Sequence, residues 1–201
     1  MTPPRSWLRL LLLPTLVALG AEQAAAQVGK VSTAQIVSLA ATKTGKLTMG
    51  VISGAVQTLA TLTDNTTNNF PTPVVIQTQW DLNPGQTGSV NVIGWFTNPA
   101  QALHNGAANT NIASSRIKGQ LSPGAPAPTS YPAVFTGFTQ NAVGGIGSAG
   151  GSLRLFSINI SGANKTATRT DNLNLQLDLT GAASQRPGTY TGTLNIEAVT
   201  Q

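Results

Sequence analysis

Side chains with acid–base or metal-binding chemistry are few in this sequence. The chain holds one histidine, His104, and no cysteine. A serine-triad hydrolase would need that histidine as its base, yet no G-x-S-x-G turn occurs. One histidine without cysteines also leaves too few ligands for zinc. We therefore predict no catalytic residue, no metal ligand and no cofactor-binding residue, and interpret His104 as a loop residue.

Acidic residues offer a second possible chemistry. Those beyond residue 26 are Asp64, Asp81, Asp171, Asp178 and Glu197. A glycosidase needs two carboxyl groups held across a cleft, and Asp178 and Glu197 fall on the polar faces of two predicted strands that we take as adjacent. Solvated surface acids explain the same pattern more simply. A glycan hydrolase that uses paired acids is therefore our third functional hypothesis.

Aromatic residues are the remaining candidates for ligand contact. Five of them could line a sugar-stacking platform: Trp80, Trp95, Tyr131, Phe135 and Phe138. Alternation along its strand places Trp80 inside the protein. Trp95 lies on the second apolar face of its strand, so we predict Trp95 as a possible contact surface and retain a secreted carbohydrate-binding module as the second hypothesis.

Alternating apolar and polar residues indicate the strands that would position these side chains. Residues 173–179 carry leucine at every second position, and residues 74–82 alternate in the same way. The last segment, residues 190–198, repeats the pattern after a Pro-Gly turn. We therefore predict a C-terminal strand whose buried face carries Tyr190, Leu194 and Ile196.

Two other segments depart from simple alternation. Residues 90–97 are apolar on both faces, which predicts a central strand or one whose second face meets a partner or loop. In residues 153–160, Leu153 and Leu155 share one parity while Phe156 and Ile158 share the other. A β-bulge near Phe156 would bring all four side chains to one face.

The remaining segments give turns and loops. Residues 46–52 and 56–63 are predicted to form a hairpin around Ser53 and Gly54. Residues 98–110 form a connection with room for one helical turn, while the Pro-rich stretch 123–132 and the Gly-rich stretch 143–151 are loops. About eight or nine short strands without a substantial helix predict an all-β, antiparallel sandwich rather than a barrel.

The charge composition limits the kinds of partner that this protein can bind. Only 8% of the residues are charged and the net charge is +5, without the clustered bases that nucleic-acid binding requires.

The N-terminus has Arg5 and Arg9, an apolar run over residues 10–19, and alanines at 24–26. This pattern is typical of a secretory signal peptide, since the apolar run is too short to span a membrane. We predict a signal peptide over residues 1–26, one β-sandwich domain over residues 27–201, and no membrane span after cleavage.

Residues 186–198, with the sequence RPGTYTGTLNIEA, resemble the closing strand of secreted bacterial β-sandwich proteins of the pilin-like and spore-coat-like kind. The resemblance implies an immunoglobulin-like sandwich with a surface or assembly role. Our first hypothesis is therefore an exported bacterial structural or adhesive surface protein without catalytic activity, in the periplasm, at the cell surface or outside the cell. Its partners would be itself or another surface protein through strand edges, and a glycan under the second hypothesis.

Overall fold

The computed structural model describes residues 45–85 and 88–201, so the predicted signal peptide lies outside the described residues. Eleven strands follow one another in these residues: β1 (Lys46–Ser53), β2 (Thr67–Asn69), β3 (Val74–Asp81), β4 (Ser89–Trp95), β5 (Leu103–Asn105), β6 (Thr110–Ile112), β7 (Ile117–Ser122), β8 (Thr136–Gly137), β9 (Ser152–Asn159), β10 (Thr166–Asp178) and β11 (Asn195–Thr200). Four of them are only two or three residues long.

The larger sheet is built around β10, its longest strand. Its order is β1-β3-β10-β7-β8, and β2 pairs with the C-terminal part of β10. The leucines of residues 173–179 are all buried while the residues between them are partly exposed, as their alternation predicts. The same holds for β3, where Val74, Ile76 and Trp80 are buried.

The smaller sheet has the order β11-β4-β9, which makes β4 central as its two apolar faces predict. Strand β9 contains the predicted bulge. Val92 of β4 lies opposite Phe156, and the next residue, Ile93, lies opposite Arg154, so Leu155 is the extra residue. Because of this bulge both Leu155 and Phe156 are buried.

One hydrophobic core draws residues from both sheets, including Leu175 of the larger sheet and Val92 of the smaller. Phe96 and Phe138 meet edge to face within it, with ring centroids 5.2 Å apart. All strand pairs within the sheets are antiparallel in the described part of the chain. The prediction of an all-β antiparallel protein is confirmed, and the sheets are consistent with a sandwich; the immunoglobulin-like order stays a prediction.

The predicted N-terminal hairpin is wrong. Strand β1 forms as expected, but it pairs with β3, and residues 54–66 contain no strand. In that segment Leu59 and Leu62 pack on the core while Val56 is exposed. This segment therefore buries isolated apolar side chains and has no continuous apolar face. Strand β3 has such a face, so it is the better pairing partner for β1.

The C-terminal strand is shorter than predicted. It begins at Asn195, so Ile196 lies on β11 whereas Tyr190 and Leu194 precede it. The reason is that Thr191 pairs with His104 of β5, with N–H···O distances of 2.8 and 3.0 Å, before the chain reaches β4. The side chains of Tyr190, Leu194 and Ile196 are all partly buried against the core.

The connections match their predicted character in part. Residues Pro99–Gln101 form one 3₁₀ turn, and the Asn98 side chain accepts a hydrogen bond from the Ala100 N–H at its start. The same connection also contains β5 and β6, which the Ala- and Asn-rich sequence did not indicate.

Candidate functional site

The outer edge of β1 is the first feature with potential for binding. Strand β1 hydrogen-bonds to β3 on one side, and on its other side no backbone partner occurs among residues 45–85 and 88–201. Two apolar side chains near its end are solvent-exposed, Val51 at 38% and Ile52 at 57%. Exposed strand edges with apolar side chains are sites where another strand can add. We call this feature the open edge.

A cleft adjoins the open edge where β1 lies close to β11. Its volume is about 370 Å³. Apolar side chains from the strands of the two main sheets and from the segments that connect them dominate its lining, namely Val51, Phe70, Val74, Phe96, Leu103, Ile117, Leu175, Leu194 and Ile196. The cleft therefore extends the hydrophobic core toward the open edge, and it could receive apolar side chains.

His104 lies on β5, with its Nδ1 atom 2.7 Å from the Asn111 side-chain oxygen on β6. The interpretation of His104 as a loop residue is therefore wrong. It pairs with residues of β6 and with Thr191, because the connection that carries it folds into a small two-stranded sheet.

Asp178 and Glu197 are not on adjacent strands, which corrects the prediction. Asp178 ends β10 in the larger sheet, and Glu197 lies on β11 in the smaller sheet. Asp178 is instead paired with Lys118, at 2.6 Å between Oδ2 and Nζ. The hydrogen bond from Lys118, assisted by bonds from Thr180, holds the pKa of Asp178 well below its ordinary value. Asp178 thus stays ionised at neutral pH as part of a surface ion pair.

The tryptophans differ in their surroundings. Trp80 is buried, and its indole N–H donates to the Asn164 carbonyl at 2.8 Å. Trp95 is half-buried on the outer face of the smaller sheet, where the Gly-rich loop lies against it. Gly147 has a φ of +106°, and a Cβ atom there would overlap the Ser152 hydroxyl and come within 3.3 Å of the Trp95 ring, so the loop needs glycine at this position. Only part of Trp95 is accessible as a contact surface.

The sequence patterns did not indicate a buried ion pair formed by Arg169 and Asp171. Both side chains are fully buried on the inner face of β10, where the Arg169 Nε–H donates to Asp171 at 2.8 Å and a second guanidinium N–H donates to the other carboxylate oxygen. The guanidinium also lies 4.1 Å from the centroid of the Phe156 ring. Both positions share the parity of Leu173, but the leucine alternation begins only at residue 173, so the predicted strand stops short of this pair.

The ion pair holds the loop at residues 123–132, which we call the strap. Asp171 accepts a hydrogen bond from the Gly124 N–H at 2.9 Å, and Arg169 donates to the Pro126 carbonyl at 2.8 Å. A Cβ atom on Gly124 would clash with the Thr170 carbonyl oxygen, so the strap needs glycine at this close approach. Further along, Ser130 pairs with Ser157 at the edge of β9. The strap therefore connects the larger sheet with the smaller one.

A metal site and a membrane-spanning helix are both absent from the described part of the chain. Among the residues that the structure describes, no three His, Asp or Glu side chains converge in a way that could hold a metal ion. Over the same residues, no helix has both the length and the apolar character needed to cross a bilayer.

The chain was compared with protein-family models, with curated proteins and with solved structures. None of the three comparisons produced a match.

Proposed function

We propose that the protein is an exported bacterial structural or adhesive surface protein that associates through the open edge of β1, either with another copy of itself or with a different surface protein. The observation that carries this proposal is the row of unpaired backbone groups on β1, within the described residues, together with the exposed Val51 and Ile52. A strand that added there would satisfy those groups and lie beside both side chains.

The cleft beside the open edge supports the same role. An added strand points every second side chain toward the sandwich, and the apolar lining contributed by Val51, Leu194 and Ile196 would bury such side chains. Each fully buried aliphatic side chain stabilises an interface by about 1.5–3 kcal/mol relative to its exposed state. Backbone pairing would therefore be reinforced by burial of apolar surface.

Sedimentation velocity over a range of protein concentrations tests the proposal. We expect the purified protein to form assemblies that grow with concentration. The variant Ile52→Lys places a charge on the open edge, and we expect it to remain monomeric because a lysine there disfavours strand addition.

The matched control is Val134→Lys. Val134 is another exposed aliphatic residue, 70% exposed in the connection between β7 and β8, and it lies away from β1. We expect it to assemble like the parent. A parent protein that stays monomeric at its highest soluble concentration would contradict association with a second copy, and assembly of Ile52→Lys equal to that of the control would contradict the role of the open edge.

A further inference from the structure

A pocket at the outer side of β9 is unrelated to the open edge. Its volume is about 420 Å³, and it is lined by Ser130, Gln140, Asn141, Ala142, Val143 and Arg154. Two backbone bridges fix its walls: Ser130 pairs with Ser157, and Gln140 pairs with Ser152. The pocket therefore occupies the gap between two points at which the 129–143 segment is tied to the edge of β9.

Arg154 is the charged side chain that lines this pocket. Arg154 lies immediately before the extra residue Leu155 and faces outward opposite Ile93, while Phe156 returns to the core opposite Val92. Ordinary alternation between the buried Leu153 and Leu155 directs Arg154 to the outer side of the sheet, and the bulge follows it along the strand.

Arg154 has no acidic partner within the described part of the chain. Its side chain is half-buried, and its Nε atom is buried without a hydrogen bond. The acid in the same cross-strand row is Glu197 on β11, but Ile93 of β4 lies between them and no ion pair forms. A partly desolvated guanidinium without a counter-charge is unfavourable unless an anion joins it.

The other polar groups of the pocket are donors as well. The Gln140 side-chain oxygen is occupied, since it accepts from the Arg154 backbone N–H at 2.8 Å, which leaves its NH₂ group available. The side chains of Ser130 and Asn141 make no hydrogen bond with any described residue. Guanidinium, two amide NH₂ groups and a hydroxyl all donate to an oxyanion, and no carboxylate lines the pocket.

We propose that this pocket binds a carboxylate. The planar fork of arginine matches the two oxygens of a carboxylate, and one guanidinium balances the single charge of that group, whereas a phosphate dianion would require a second cation. A uronic acid sugar and the C-terminal carboxylate of a peptide share this chemistry, and both are tested below.

Titration of the amide NMR spectrum at constant ionic strength tests the proposal. The probes are sodium acetate, sodium glucuronate and N-acetylalanine, with glucose as the uncharged control. We expect saturable shifts of the Gln140, Asn141 and Arg154 amide signals with the three carboxylates and none with glucose. Tighter binding of glucuronate would identify a sugar acid as the ligand, and tighter binding of N-acetylalanine would identify a peptide C-terminus. Equal affinity for all three probes would show that the pocket recognises the carboxylate group alone.

Three variants assign the effect to Arg154. Arg154→Gln should weaken carboxylate binding about tenfold or more, because a hydrogen-bonded charge is lost. Arg154→Lys keeps the positive charge but lacks the planar guanidinium. Its affinity for the carboxylate should lie between those of Arg154→Gln and the parent. Arg186→Gln removes the same charge from an exposed loop and should bind like the parent. Absence of saturable shifts in the parent, or parental affinity in a folded Arg154→Gln protein, would overturn the proposal.

Discussion

Arg169 and Asp171 lie two residues apart on the face of β10 that otherwise carries leucine. Neither charge contacts solvent, so their mutual hydrogen bonds and the contacts with the strap must replace lost hydration. The Phe156 ring adds a cation–π contact from the opposite sheet. The pair thus joins β10, β9 and the strap at one point.

Removing the charge of Asp171 tests this role. Asp171→Asn leaves the buried Arg169 without its counter-charge, and we expect a loss of about 3–5 kcal/mol in the free energy of unfolding. Asp81→Asn is the control, since Asp81 is exposed and its carboxylate accepts only from Thr166 among the described residues. Its effect should stay within about 0.5 kcal/mol. Urea denaturation measures both, and equal midpoints for the two variants would show that the ion pair contributes little.

Local sequence could not reveal the ion pair, because the groups that surround it come from distant segments. Pro126 precedes Arg169 by 43 residues, and Phe156 belongs to the other sheet. For Arg154, by contrast, the sequence provides part of the information. The change of phase at residues 153–156 predicted the bulge beside Arg154, although nothing in the sequence placed Ser130 and Asn141 around its side chain.

At the scale of elements, β10 carries the larger sheet because it pairs with β3 and β2 on one side and β7 on the other. Leu177 is buried on its inner face, while the neighbouring Gln176 is only partly covered on the outer face. Leu177→Ala should lower the free energy of unfolding by about 2–5 kcal/mol through lost burial and a residual cavity. Gln176→Ala should change it by about 0.5 kcal/mol or less.

Thermal and urea unfolding of the two variants compare the faces of one strand directly. Comparable losses for Leu177→Ala and Gln176→Ala would mean that β10 does not bury one face against the core. That result would also contradict the alternation from which the strand was predicted.

Alternation predicted strands well wherever each strand has one apolar face, as in β3 and β10. It does not predict pairing, because partner choice depends on faces far apart in sequence. The sequence therefore predicts a hairpin for β1, whereas the strand pairs with β3. Strand β7 gives a weak pattern for a different reason. Gly119 occupies the inward position between Ile117 and Leu121, so the apolar row lacks its middle side chain.

The two sides of the whole molecule differ. At β9 the strap and the 129–143 segment cover the strand edge through Ser130 and Gln140, whereas β1 has no such cover among the described residues. Assembly through β1 and ligand binding at β9 would therefore use separate surfaces. We expect a carboxylate at Arg154 to leave strand addition at the open edge unaffected.

Export is the prediction that concerns the entire chain. The basic residues, short apolar run and alanines of residues 1–26 predict cleavage after Ala26, so the exported protein should begin at Gln27. N-terminal sequencing of protein recovered from the periplasm or the medium measures this. Accumulation of a form in the cytoplasm that begins at Met1 would contradict the assignment of a signal peptide.

The hydrogen bonds from Arg169 and Asp171 to the strap also affect how fast this loop can open. Loops of irregular structure commonly open in nanoseconds to microseconds, independently of the sheets they connect. Residues 123–132 are tied to β10 through the Gly124 N–H and the Pro126 carbonyl, so opening them exposes a buried ion pair. The Gly124 amide hydrogen would then exchange with solvent as slowly as those of the sheet, and a protease would meet this loop chiefly in molecules whose sheets have begun to separate.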